Sequence, residues 1–299
     1  MLRRLPKKIL ILGAGAIGVE FAHILNGFGV EVHLAEMMER ILPLEDAEAV
    51  AVLERAFKKR GIKISTATEA LSMEKTPQGV RVTLADSAGK QTVVEADKLL
   101  VVVGRAPNSE DIGLETVGIG TEKGAIPVGD CYQTKVPGIY AIGDVIGEQL
   151  LAHVAFKQAE IAAERIAGKN PPARIDPLSV PGCIYCEPQV ASFGLPEWKA
   201  KERGRRFEKA SFPYRGAGKS VAMGKTEGFV KVLLDPETKE LIGAHAVGAE
   251  ATELIHELLL ARTAELLPED IADMIHAHPT LSEAVAETMR AYLGRAIHV

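Results

Sequence analysis

The first hundred residues carry short apolar runs separated by glycine turns and amphipathic stretches. Residues 9–12 form a continuous apolar run, 16–26 place apolar side chains at helical spacing, and 30–34 alternate apolar Val30, Val32 and Leu34 with polar residues. This order predicts a strand, a helix and a second strand, a βαβ unit. A second helix is predicted over about 46–60, with Val50, Leu53, Ala56 and Phe57 on one face. Gly61 ends it, where a left-handed residue is wanted, and Ile62 and Ile64 begin a third strand.

Between residues 71 and 94 the pattern changes to short alternating stretches, such as Val80-Arg81-Val82-Thr83-Leu84, set apart by Pro77-Gln78-Gly79 and Ser87-Ala88-Gly89. A small inserted antiparallel sheet is predicted there. The run 99–103 has the unbroken apolar character of a parallel strand covered on both faces. Beyond it, a helix is predicted over 152–167 and a linker at 168–172. Strands are predicted at 229–234 and 241–247, and helices at 252–263 and 282–293. The expected fold class is α/β: a doubly wound lobe with an inserted antiparallel sheet over 1–123, a central section over 124–174, and an α+β domain over 175–299.

With 299 residues the chain is long enough for more than one core. A net charge of -5 with interspersed signs leaves no basic footprint for nucleic acid and no polybasic stretch for a membrane surface. Three cysteines, Cys131, Cys183 and Cys186, are too few for a disulfide scaffold and suit a reducing compartment. No apolar run spans a bilayer, and the start shows no signal-peptide core, so a cytoplasmic location is expected. No metal site is expected.

Gly13-Ala14-Gly15-Ala16-Ile17-Gly18 lies between the first strand and the first helix. In such a loop the first glycine makes the tight turn, the second admits a pyrophosphate to the backbone, and the third lets helix pack on strand. Together with Val19 and Glu20 it is the candidate nucleotide cradle. Glu36 ends the second strand, where a carboxylate suits a ribose 2′-hydroxyl and repels a 2′-phosphate. NAD is therefore expected rather than NADP, although Arg40 stands nearby.

Later motifs narrow the reading. Val103-Gly104-Arg105-Ala106-Pro107-Asn108, then Ile139-Tyr140-Ala141-Ile142-Gly143-Asp144, then Leu150-Leu151-Ala152-His153 look like successive signatures of flavin-dependent pyridine nucleotide disulfide oxidoreductases. His276-Ala277-His278-Pro279-Thr280-Leu281-Ser282-Glu283 is similar to dihydrolipoamide dehydrogenases in particular.

The resemblance implies that Gly104 lines the nicotinamide site, that Asp144 holds the FAD ribityl chain, and that Leu150, Leu151, Ala152 and His153 open a helix facing the flavin. It implies further that Glu20 lies by the nicotinamide, that His278 is the base for a dithiol, and that Glu283 supports its ring. Read without it, Asp144 is an ordinary cap at a strand end, and Thr280 to Glu283 is a capping box in which the carboxylate returns to the Thr280 N–H. A cis His278-Pro279 peptide is expected, as in relatives. His276 has no catalytic claim.

The matched motifs start at the family's second domain, so only part of an FAD site is expected, with no counterpart of the redox cysteine pair. Cys183-Ile184-Tyr185-Cys186 has the spacing of such a pair but sits in a strand-like stretch, and no redox role is expected of it. The chain alone is expected to bind NAD weakly, retain little FAD and lack lipoamide turnover. Expected partners are a second copy in a homodimer and, by resemblance, lipoyl domains of 2-oxoacid dehydrogenase complexes. Alternatives are a related flavin reductase, such as mercuric or glutathione reductase, and a non-catalytic fragment of a split flavoprotein that binds NAD and dimerises.

Overall fold

The computed structural model describes residues 4–298. It contains two compact units, one formed by 4–103 with 181–298 and the other by 104–180. Among the described residues no helix is long and apolar enough to cross a membrane.

The first unit begins with β1 (Lys8–Leu12), α1 (Ala16–Gly27), β2 (Glu31–Ala35), α2 (Ala47–Lys59) and β3 (Lys63–Ser65). The inserted antiparallel sheet follows as β4 (Thr68–Thr76), β5 (Gly79–Asp86) and β6 (Gln91–Ala96), and β7 (Lys98–Val101) returns to the parallel sheet, whose order is β3-β2-β1-β7. Alternation along β1 decides what covers each face. Ile9 and Ile11 pack with Val19, Ala22 and Leu25 of α1 and with Val50, Leu53 and Phe57 of α2. Leu10 faces the other way, onto Val82, Leu84, Val94 and Ala96 of the inserted sheet.

The α2 terminus follows from its sequence. Asp46 accepts from the N–H groups of Glu48 and Ala49 at 3.1 and 3.3 Å, and Gly61 takes a φ of +80° just after the helix. One expectation is corrected. The run 99–103 is not covered on both faces: β7 is the edge of its sheet, and Val101 and Val103 are 56% and 75% exposed. An apolar run records side-chain character and cannot tell an edge strand from a central one.

The second unit is built from turns around one amphipathic helix, α3 (Ala152–Ile166). Ile161 of α3 packs with Ile119, Ile126, Tyr132, Ala141 and Ile146.

The chain then completes the first unit with β8 (Gly182–Ile184), β9 (Gln189–Gly194), α4 (Glu197–Glu202), β10 (Glu208–Pro213), α5 (Gly218–Ala222), β11 (Phe229–Leu234), β12 (Leu241–Gly248), α6 (Ala251–Thr263), α7 (Pro268–Asp273) and α8 (Glu283–Tyr292). The five strands form an antiparallel sheet in the order β10-β11-β12-β9-β8. Phe193, Val230, Val232, Ala244 and Ala246 point to one face, under Ile255 and Leu258 of α6 and Val285 and Met289 of α8. Val190, Val247 and Ile184 point to the other and share the core of α1 and α2. Each fully buried aliphatic side chain there contributes about 1.5–3 kcal/mol. The C-terminal sheet and the N-terminal lobe are thus welded through one core.

Candidate active site

The glycine turn is closed on its inner side and open on its outer side. Gly13 has a φ of +97°, and a Cβ there would lie 2.5 Å from the Val102 carbonyl oxygen. A Cβ on Gly18 would lie 1.9 Å from the Gly13 carbonyl oxygen, whereas one on Gly15 would meet nothing within 4 Å. Two glycines are therefore demanded by the protein's own packing, and the third leaves room for something else. The α1 N-terminus has no side-chain cap and no acidic residue in its first turn. Its leading N–H groups and the positive end of the helix dipole are available to an anion.

Glu36 stands beside this turn. Its Oε2 accepts the Ala14 N–H at 2.6 Å and its Oε1 the Met38 N–H at 2.9 Å, which fixes the carboxylate at the end of β2. Arg40 is turned toward other partners: it donates to the Pro43 carbonyl at 2.8 Å and stacks over Trp198 at 5.5 Å. Glu20, on α1, accepts the Tyr185 N–H at 3.0 Å. The open Gly15, the uncapped helix and the fixed carboxylate fit the pyrophosphate and ribose of a dinucleotide.

The histidine pair lies on the loop before α8. His278 Nδ1 is 2.9 Å from Glu283 Oε1, and Glu283 Oε2 accepts the Thr280 N–H at 2.9 Å. One carboxylate thus serves both roles, ring support and helix start. The box is only half made, because the Thr280 hydroxyl donates to the Ala277 carbonyl at 2.7 Å instead of capping the helix. Burial on its own would raise the Glu283 carboxyl. The Thr280 N–H and the His278 ring outweigh it and hold the group below the usual carboxylate range.

A carboxylate only accepts, so Nδ1 is the donor in this bond, and Nε2 takes no part in it. The His278 side chain is 73% exposed, and its peptide bond to Pro279 is cis. His276 differs in setting. Its side chain is 6% exposed and its Nε2 lies 2.7 Å from Glu257 Oε1, a partner 19 positions away on α6 that no local pattern reveals.

In the second unit, Gly104 has a φ of +156° with open space where a Cβ would be. Asp144 follows Gly143, whose N–H is held by Gln158 Oε1 at 2.6 Å, and its exposed carboxylate lies 3.9 Å from Arg105 Nε. Leu150 and Leu151 lead into α3, where Ala152 and His153 are the first helical residues, and no side chain caps that terminus. An exposed carboxylate and an uncapped helix fit the hydroxyls and electron-rich edge of a flavin nucleotide.

The cysteines are thiols. Burial pushes Cys183 up to about 11 and Cys186 up to about 12, and their Sγ atoms lie against the carbonyls of Thr252 at 3.9 Å and Pro188 at 3.1 Å. Neither is a thiolate near neutral pH.

Comparison with known proteins shows the family. The family model of pyridine nucleotide-disulphide oxidoreductases matches residues 2–159, and that of the family's dimerisation domain matches residues 180–289. The chain is 44% identical to a dihydrolipoyl dehydrogenase of Zymomonas mobilis over 98% of its own length and 63% of the relative's. It is 43% identical to a dihydrolipoyl dehydrogenase of Bacillus subtilis over 99% of its length and 63% of that protein's. The chain thus spans about 63% of the curated relatives it matches.

Among solved structures, LpdA from Mycobacterium tuberculosis superposes with a TM-score of 0.88 at 29% identity, over 97% of this chain and 62% of that one. The HOCl-induced flavoprotein disulfide reductase RclA from Escherichia coli gives 0.88 at 27% identity, over 96% and 65%. Because the two family models match in succession along it, the chain belongs to the pyridine nucleotide-disulphide oxidoreductase family and carries its dimerisation domain.

Proposed function

We propose that this chain is the nucleotide-binding and interface part of a dihydrolipoyl dehydrogenase, which oxidises dihydrolipoamide to lipoamide with reduction of NAD⁺. The observation that carries the reading is His278, exposed yet oriented through Nδ1 by Glu283. A base that must reach a dithiol needs a free Nε2 and a carboxylate to stabilise the imidazolium it becomes. His278 Nε2 takes the thiol proton, and Glu283 holds the ring while it is charged.

Gly13, Ala14, Gly15, Ala16, Ile17, Gly18 and Val19 hold the pyrophosphate, and Glu36 takes the adenosine ribose, which selects NAD over NADP. Glu20 serves the nicotinamide side of that turn, and the family resemblance gives Gly104 a nicotinamide role as well. Asp144, Leu150, Leu151, Ala152 and His153 hold part of an FAD. An FAD held there would supply two-electron transfer between a dithiol–disulfide couple and a nicotinamide. The lobes serving these roles are 1–123 for NAD, 124–174 for flavin contacts and 175–299 for the interface.

The assembly is a homodimer in the cytoplasm, and its substrates are lipoyl domains of 2-oxoacid dehydrogenase complexes. The 44% identity to a dihydrolipoyl dehydrogenase supports this choice within the family. A second reading, a chain that binds NAD and dimerises without turnover by itself, is favoured by the high-pKa thiols of Cys183 and Cys186.

Titration with NADH and NADPH, followed by a dihydrolipoamide assay with and without an added FAD domain, separates the two. Binding of NADH in preference to NADPH with turnover only when the domain is added supports the dehydrogenase reading. NADPH binding as tight as NADH removes the role of Glu36.

A further inference from the structure

The five-stranded sheet carries a polar row, buried at His245 and Lys231, on the face it presents to the N-terminal lobe. Ser192, His245 and Lys231 pair across β9, β12 and β11, so their side chains share that face. Lys231 is 1% exposed. Its Nζ lies 2.8 Å from Asp46 Oδ2, 2.9 Å from Glu48 Oε2 and 2.8 Å from Glu197 Oε1. Asp46, also 1% exposed, uses its other oxygen to cap α2. Glu197 is shared with Lys209 at 2.7 Å, and the buried His245 meets the Leu195 carbonyl through Nε2 at 3.2 Å.

Buried ion pairs contribute little net stability, because the cost of removing both charges from water offsets their attraction. Their best-attested use is to fix one arrangement against others. What this cluster fixes is the segment 40–46, the second half of the connection from β2 to α2. The Trp198 indole N–H donates to the Glu45 carbonyl at 3.2 Å, and Lys231 holds Asp46. At the other end, the Leu42 N–H donates to the Ala14 carbonyl at 2.8 Å. Ala14 is the residue between the first two glycines of the turn, and its own N–H is held by Glu36.

We propose that Lys231 is a positioning residue for the dinucleotide site: through Asp46 and the segment 40–46 it fixes Ala14, and with it the glycine turn, without touching the nucleotide. The C-terminal sheet thereby sets the shape of a loop more than two hundred residues earlier in the chain. The functional consequence rests on the nucleotide reading of that loop. The mechanical one, order at Ala14 and Leu42, does not.

The test is amide hydrogen exchange on the intact chain and its Lys231→Met variant, with NADH titration of both. Ile255→Ala serves as a control, because Ile255 is fully buried on the far face of the sheet and its loss lowers the melting temperature without touching the segment. In Lys231→Met the Leu42 and Ala14 amides should exchange about tenfold faster, the change expected when one hydrogen bond's worth of local stability is lost, while Leu10 and Ile11 keep their protection. NADH binding should weaken about tenfold in Lys231→Met and stay unchanged in the control.

A uniform loss of protection, or none at Leu42 and Ala14, overturns the proposal. If the unsubstituted chain binds no NADH, the nucleotide reading fails while the exchange pattern still decides the role of Lys231. Should Lys231→Met not fold, Trp198→Phe removes a single donor to the same segment. It must then show the selective loss at Leu42 in smaller measure, and its absence counts against the proposal.

Discussion

Acidification should weaken the N-terminal lobe through His33. This residue is 3% exposed in β2, three positions before Glu36, and its Nε2 lies 2.9 Å from Ser65 Oγ on the neighbouring strand. Burial first, and then the charges of Lys63 and Lys8, lower its pKa from 6.5 to about 4. The folded form therefore binds its proton later than the unfolded chain does, and stability is lost as pH falls from about 6.5 toward about 4.

Each pH unit in that window costs ~1.36 kcal/mol, which gives about 3 kcal/mol in all and about 2 kcal/mol between roughly pH 7 and pH 5. His33→Gln keeps a partner for Ser65 and removes the proton site. Urea unfolding at the two pH values, read from Trp198, the single tryptophan, isolates this lobe and its welded sheet. Other groups titrate as well, so the quantity that matters is the difference between the two proteins. His33→Gln should lose about 2 kcal/mol less than the unsubstituted chain on going from about pH 7 to about pH 5. Equal losses, within about 0.5 kcal/mol, would refute the buried neutral imidazole.

Further outcomes follow from the site. In a preparation that turns over, Glu283→Gln should lower the rate with dihydrolipoamide about a hundredfold with little change in NADH affinity, and an unaltered rate would remove the His278 pair from the chemistry. Gly18→Ala forces a Cβ to 1.9 Å from the Gly13 carbonyl and should cost about 1–3 kcal/mol in urea unfolding. Gly15→Ala, placed in open space, should cost less than about 0.5 kcal/mol yet weaken NADH binding; the reverse order would contradict the cradle. Iodoacetamide near neutral pH should label Cys183 and Cys186 about a hundredfold more slowly than free glutathione, and labelling at the glutathione rate would reopen a redox role for them.

Much of the architecture is local, and local structure is what a sequence records. The strand, glycine turn and helix at the start depend on apolar periodicity and on glycines within a few residues of each other, and α1 begins at Ala16 as expected. The helix expected over 282–293 runs Glu283–Tyr292, and the pairing of His278 with Glu283 spans five positions. The motif that raised it was legible, as was the competing helix-start role that the same carboxylate also fills.

What the tertiary structure alone decided lies at long separation. Lys231 meets Asp46 across 185 positions, Tyr185 meets Glu20 across 165, and the face of the C-terminal sheet that carries Val190 and Val247 completes the core of α1 and α2. The edge position of β7 is of the same kind. A contact between distant segments leaves no periodic trace in either of them, because each residue's type is compatible with many partners and only the closed fold selects one. Gly13 to Gly18 were therefore readable as the turn between a strand and a helix, while Lys231, which reaches Asp46, read as one more strand residue.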